Sequence, residues 1–277
     1  MSIKTILLIS RPKFWFYLAG TYLVGYSFGI SSIQELSSPY FLLHFCFFLI
    51  PANIFLYGVN DFFDEDTDQY NEKKGTQEHR LLSKEKLDLI GYLLITLGSA
   101  FFILIIQPTI EIQLILAFFF FLSYFYSATP LRFKARPLLD FSSNILYALP
   151  AIIGYYHSSA LFPPAYVTVA LFSWTSSMHL FSAIPDIIPD KKAKLKTTAV
   201  VIGKTASLIL CIIFWSITAI IALLFLPYYL GLFALIYPII PFLLLIDKKL
   251  NIKKIYWYFP IINTLIGFLL YLVATLL

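Results

Sequence analysis

The sequence predicts an all-α fold, a polytopic membrane bundle of about nine transmembrane helices, and three observations lead there. Of 277 residues 60% are hydrophobic and only 13% charged, and the mean hydropathy of +0.82 lies far outside the range of soluble domains. The apolar residues gather in runs of about 20, the length at which a helix crosses a bilayer. None of the runs alternates as a barrel strand would. All 20 Lys and Arg fall between alternate runs, leaving the other set of connections without a single basic residue. The chain reads as one transmembrane domain over residues 1–277, since no polar stretch exceeds about 30 residues or carries a hydrophobic periodicity of its own.

Taken in order, the runs are 14–30, 40–59, 87–106, 112–128, 138–156, 164–184, 206–226, 228–246 and 255–275. The first follows Lys4, Arg11 and Lys13 and is not trailed by a small-residue cleavage site. Pro227 separates the seventh run from the eighth, and Pro238 and Pro241 are expected to kink the eighth. The basic residues lie before the first run, then after the second, fourth, sixth and eighth. By the positive-inside rule the N-terminus and those loops are cytoplasmic and the C-terminus is outside, which requires an odd number of spans. Lys248, Lys249, Lys253 and Lys254 read as this topology signal together with contact to anionic headgroups. Cys46 and Cys211 sit inside apolar runs, where a thiol behaves as a small hydrophobe, and their spacing suits neither a metal site nor a disulfide framework. The net charge of +5 calls for no nucleic-acid partner, because no polar loop interleaved with aromatics accompanies it.

Negative charge is scarce and concentrated. Five of the 15 Asp and Glu fall in Asn60-Asp61-Phe62-Phe63-Asp64-Glu65-Asp66-Thr67-Asp68, directly after the second run. Spacings of three and four place Asp61, Asp64 and Asp68 on one face of a helix leaving the membrane, with Glu65 and Asp66 pointing elsewhere. Like charges so close are favourable only with cations between them, and hard carboxylate oxygens suit Mg2+, which binds through a few carboxylates plus substrate phosphates. The plainer alternative is a solvated acidic loop. A second pair, Asp186 and Asp190, closes the sixth run on the same side of the membrane. Two acidic sets at matching depth suggest a cage for two Mg2+ ions holding a diphosphate; proline-flanked Asp residues that cap helices are the alternative for the pair alone.

Arg132, Lys134 and Arg136 lie in the fourth connection, 127–137, where charge-assisted hydrogen bonds to phosphate oxygens are available to them. Tyr126 stands at its mouth, able to donate a hydrogen bond or present its ring to a cation. Arg80, Lys191 and Lys194 are further phosphate candidates, and an ordinary positive-inside loop is the competing account of them all. Within the spans, Asn53 lies seven residues before Asn60 and His179 seven before Asp186, about two turns, so each is expected on the face of its neighbouring motif. Interhelical hydrogen bonding would equally account for them.

Asn60-Asp61-x-x-Asp64-x-x-x-Asp68 and Asp186-x-x-x-Asp190, with about nine spans and a basic loop between, resemble the UbiA-type intramembrane prenyltransferases. The likeness covers nearly the whole chain. It implies an all-helical bundle around a central cavity, with Asp61, Asp64, Asp68, Asp186 and Asp190 binding Mg2+ and the diphosphate of an isoprenyl donor. Stretches such as Ser10-Arg11-Pro12-Lys13-Phe14-Trp15, Leu131-Arg132-Phe133-Lys134-Ala135-Arg136-Pro137-Leu138-Leu139-Asp140 and Met178-His179-Leu180-Phe181-Ser182-Ala183-Ile184-Pro185-Asp186 look like the lycopene elongase branch, which acts in C50 carotenoid synthesis. One arrangement common in the superfamily, Tyr-x-x-x-Lys, is not met: Pro130 follows Tyr126 at plus four, and the nearest lysine is Lys134.

The expected activity is therefore Mg2+-dependent transfer of an isoprenyl group from its diphosphate to a hydrophobic acceptor, a carotenoid such as lycopene with a five-carbon donor. In that reading Asp61, Asp64, Asp186, Lys134 and Tyr126 serve the reaction. Asn60, Asn53, Arg80, Arg132, Lys134, His179, Lys191 and Lys194 hold substrate. A prenyltransferase for a quinone precursor or another lipid acceptor is the nearest alternative. A cation transporter is a third, but its carboxylates belong near the bilayer midplane on broken helices rather than at span ends.

Overall fold

The computed structural model describes residues 2–64 and 79–276. Among these the regular structure is helical, with no strand. The α-helices are α1 (Ile3–Ile9), α2 (Ala19–Ser27), α3 (Pro39–Leu49), α4 (Pro51–Phe63), α5 (Lys86–Ile105), α6 (Ile110–Phe125), α7 (Leu139–Ser142), α8 (Leu149–Ser159), α9 (Ala165–Ala183), α10 (Ile187–Lys192), α11 (Thr198–Phe225), α12 (Tyr228–Ala234), α13 (Ile236–Ile246), α14 (Ile252–Tyr256) and α15 (Phe259–Leu276). They form two compact units, one of Met1–Arg132 with Leu149–Phe162 and one of Phe133–Ala148 with Pro163–Leu277.

Six helical runs are long and apolar enough to cross a membrane: Pro39–Phe63, Ser83–Ile105, Ala165–Lys192, Thr198–Phe225, Tyr228–Ile246 and Ile252–Leu276. They answer to six of the nine expected spans, and α6 is a shorter version of a seventh. The remaining two are broken. The first gives a 3-10 turn over Pro12–Tyr17 and then only the nine residues of α2. The fifth gives α7, a 3-10 turn over Ser143–Tyr147 and the eleven residues of α8. Apolar content sets the hydropathy signal, whereas proline and close backbone packing decide whether a run stays one helix.

In the first unit α2 and α8 pack backbone against backbone. A β-carbon on Gly25 would collide with the backbone of Ala151, and one on Gly154 with the backbone of Tyr22 and Tyr26. Small residues at such crossings let membrane helices approach closely enough for dispersion to hold them. Ser38 caps α3, its hydroxyl accepting from Phe41 N at 3.2 Å, and Pro39 opens the helix. Pro51 carries no N–H, so the run breaks at Ile50 and α4 begins afresh. The buried Asn53 amide bridges the break, donating to the carbonyls of Phe48 at 2.8 Å and Leu49 at 3.0 Å. Ile6 and Ile9 of α1 pack with Ile54 and Leu89.

The second unit is built around a cluster of large rings. Trp215 of α11 stacks on Phe259 of α15 at 5.3 Å and meets Phe181 of α9 and Tyr237 of α13, each at 5.6 Å. Polar contacts pin the helices around it: Ser177 Oγ donates to Cys211 O at 3.2 Å, Thr218 Oγ1 to Ala170 O at 3.1 Å and Tyr237 Oη to Asn263 Oδ1 at 2.7 Å. The eighth run breaks at Leu235, three residues before Pro238, and Pro241 remains inside α13. Outward faces are bare of polar groups, as with Leu94, Ile95, Phe101 and Phe102 of α5. Such surface is stable only against lipid.

Candidate active site

Each unit carries one of the two acidic motifs. In the first, α4 ends at Phe63 and Asp64 is the first residue beyond it. Asn60 and Asp61 therefore lie in the last turn, and Asp64 stands where the chain leaves the helix. Asp68 lies outside the described residues, as do Lys73 and Lys74.

Asp61 is 1% exposed and Asp64 3%. A buried carboxylate needs a partner, since desolvation otherwise costs several kcal/mol. Arg11 is that partner: its Nη2 donates to Asp61 Oδ1 at 2.9 Å and to Asn60 Oδ1 at 3.1 Å. The guanidinium also lies 4.6 Å over the Tyr57 ring, one turn back on α4. Arg11 adopts φ 52, a left-handed conformation that non-glycine residues rarely hold without support. Asn60 uses its other end as well, Nδ2 donating to Ser127 Oγ at 2.8 Å, which ties the end of α4 to the start of the basic connection. Arg132, at φ 39, brings Nη2 to 3.9 Å from Asp64 Oδ1, an ion pair looser than a hydrogen bond. Tyr126 caps α6 and is half-buried. Arg80 is exposed.

In the second unit the chain leaves α9 through a 3-10 turn, Ile184–Asp186, with Pro185 setting its geometry. Asp186 occupies the N-cap position of α10, and Asp190 lies one turn on, so the pair shares a face. Both are half-buried. Thr197 Oγ1 donates to Asp190 Oδ2 at 3.3 Å and caps α11 by accepting from Val200 N at 3.3 Å. His179 is half-buried, within electrostatic reach of both Asp186 and Asp140. Lys134, in the 3-10 turn Phe133–Ala135, is half-buried; Lys191 and Lys194 are exposed.

The carboxylates present fit Mg2+ in kind. They are hard oxygen donors arriving in pairs, Asp61 with Asp64 and Asp186 with Asp190, and Mg2+ completes such partial sets with waters and substrate phosphates. Among the described residues no three His, Cys, Asp or Glu side chains already form a metal cage. Asn53 is spent on the α3–α4 break, although its Oδ1 is a buried acceptor without a hydrogen-bond partner. Arg11, Ser127 and Asp140 escaped the sequence reasoning. Arg11 had been absorbed by the topology rule, yet it directly precedes a proline and the first run, a position from which a cation can fold back onto the membrane edge.

Comparison with known proteins identifies the family. The UbiA prenyltransferase family model matches residues 14–258. A lycopene elongase/hydratase from Haloarcula japonica is 40% identical over 97% of this chain and 90% of its own. Those from Halobacterium salinarum and Corynebacterium glutamicum are 39% and 32% identical, over 95% and 79% of this chain and 94% and 76% of theirs. Among solved structures, a UbiA homolog from Archaeoglobus fulgidus bound to DMAPP and Mg2+ superposes with a TM-score of 0.69 at 23% identity, covering 96% of this chain and 99% of that one. Its GPP and Mg2+ complex gives 0.68 at the same identity and coverage. A family match over most of the chain, full-length relatives near 40% identity and a shared helical fold lead to one conclusion: the protein is an integral membrane enzyme that belongs to the UbiA prenyltransferase family.

Proposed function

We propose that the protein transfers a five-carbon isoprenyl group from its diphosphate to lycopene or a closely related carotenoid, with Mg2+ as cofactor. The observation that carries this reading is Asp61, a buried carboxylate fixed at the membrane edge by Arg11, with Arg132 beside Asp64. Identity of 38–40% to lycopene elongase/hydratases over 95–97% of the chain supports this acceptor.

The allylic C–O bond breaks with its electron pair leaving on the diphosphate oxygen. Asp61, Asp64 and Asp68 of the first motif and Asp186 and Asp190 of the second would hold Mg2+, which would supply electrostatic stabilisation of that leaving group. Arg132 and Lys134 offer charge-assisted hydrogen bonds to phosphate oxygens; Arg80, Lys191 and Lys194 add positive charge farther out. Asn60 orients Arg11 against Asp61. His179 lies within electrostatic reach of Asp186, Tyr126 caps α6, and Asn53 holds the start of the helix that carries the first motif. The allylic cation is captured by a terminal double bond of the acceptor, which forms the new C–C bond and moves the charge to the neighbouring carbon. That cation is quenched by loss of a proton or by water, which leaves a hydroxyl and releases a proton. The N-terminus and the loops that carry these residues face the cytoplasm and the C-terminus lies outside, consistent with the placement of every Lys and Arg.

Expression in cells that make lycopene tests the reading. Products heavier than lycopene by one or two five-carbon units, absent with Asp61→Ala or Asp186→Ala, support it. Unchanged lycopene alongside prenylation of a co-supplied quinone precursor would move the acceptor to a polar-headed lipid.

A further inference from the structure

Asp140 is 0% exposed, a charge placed in the interior of the second unit outside both acidic motifs. Burying a carboxylate is unfavourable unless its oxygens are met, and here they are met by one residue. Thr198, the first residue of α11, donates its backbone N–H to Asp140 Oδ2 at 2.7 Å and its hydroxyl to Asp140 Oδ1. The same hydroxyl accepts from Leu138 N at 2.7 Å. Leu138 stands at φ 71, where an L-residue persists only if its surroundings hold it. On the other side, Asp140 N donates to Arg136 O at 3.0 Å, and Asn144 Nδ2 donates to Asp140 O at 2.7 Å. The carboxylate thus meets the backbone N–H and the hydroxyl of the residue that opens the short helical segment before the break at Gly203 (φ 77), and it clamps the turn that follows Lys134 and Arg136. Thr197, adjacent to Thr198, holds Asp190.

We propose that Asp140, acting through Thr198, is a positioning residue for diphosphate binding: it fixes in one geometry the connection that carries Lys134 and the helix start whose Thr197 holds Asp190. The inference rests on the function proposed above. A side chain needed only for packing would be apolar at a site this dry. A charge aimed at one helix start, with a left-handed residue held by the same hydroxyl, defines a backbone geometry instead.

The test uses the full chain in lipid nanodiscs with Mg2+ and inorganic pyrophosphate as the probe. Asp140→Asn and Thr198→Val are each expected to weaken pyrophosphate binding by about tenfold, the loss of one charge-assisted hydrogen bond's worth of geometry. Amide exchange across residues 133–140 should accelerate in both. Thr198→Ser keeps both donors and should match the wild type in binding and exchange. Equal binding by Asp140→Asn and wild type would overturn the proposal, as would a Thr198→Ser variant as impaired as Thr198→Val. If Asp140→Asn does not fold, the Thr198 pair decides alone. Failure of the wild type to bind pyrophosphate and Mg2+ overturns the proposed function and the positioning role with it. Normal exchange protection in that case still reports the Asp140–Thr198 clamp as structure, which separates the two failures.

Discussion

The two acidic motifs sit in contrasting electrostatic situations. Asp61 is buried and paired with an arginine from the turn between α1 and the 3-10 segment Pro12–Tyr17, whereas Asp186 and Asp190 are half-buried and Asp190 accepts from a threonine hydroxyl. A buried ion pair is costly to break because one charge is stranded when its partner goes. A half-buried carboxylate keeps part of its hydration, so its removal should cost the fold less. Under the proposed function the first motif would couple chemistry to the fold more tightly than the second.

Alanine at each site should break the comparison open. Asp61→Ala and Asp186→Ala are both expected to lower prenyl transfer by about a hundredfold or more, the scale of losing one charge-stabilising group. Asp61→Ala should lower the melting temperature of the purified protein further than Asp186→Ala does. Equal melting temperatures for the two variants would show that the Arg11 pair carries no stability.

Arg11 tests the same difference from the cation's side. Arg11→Ala leaves Asp61 buried without its partner and should destabilise the protein by about 3 kcal/mol. Arg11→Lys keeps the charge, but a single ammonium cannot reproduce the planar fork to Asn60 and Asp61 or the stacking on Tyr57, so it should recover only part of the loss. Denaturation of all three proteins in one detergent measures this; full recovery by lysine would reduce the contact to plain charge.

Much of this was legible in the sequence, and the rest was hidden for identifiable reasons. In a chain so poor in charge, the concentration at Asn60 to Asp68 and the pair Asp186 and Asp190 stood out. Six runs could be read as membrane helices because length and apolar content are the properties a bilayer selects. The breaks in 14–30 and 138–156 could not, because hydropathy reports apolar content and not whether a turn winds as 3-10 or α. Arg11 was concealed by the positive-inside reading, which already accounted for every basic residue. Asp140 was concealed by its surroundings, as one carboxylate beside an apolar run gives no spacing to read.

The glycine contact gives a prediction about scaffold rather than site. Gly154→Ala places a methyl group into the backbone of Tyr22 and Tyr26. Overpacking of this kind should cost about 1–3 kcal/mol, read as a lower melting temperature. Gly98→Ala, on α5 with open space around it, is the control and should leave stability unchanged or slightly raised.

Thr197 offers the finest cut between the motifs. Thr197→Ala removes the cap of α11, worth about 1 kcal/mol, and releases Asp190. The stability loss should be smaller than that of Arg11→Ala, because no charge is stranded. Yet the Mg2+ concentration needed for half-maximal transfer should rise, since Asp190 loses the contact that orients it. Thr197→Ser restores both bonds and should restore both measurements. A Thr197→Ala enzyme that is less stable but has an unaltered Mg2+ requirement would assign the threonine to the helix alone. Asp190 would then need no orientation from the fold, and the contrast between a pre-organised first motif and an adaptable second one would be sharper still.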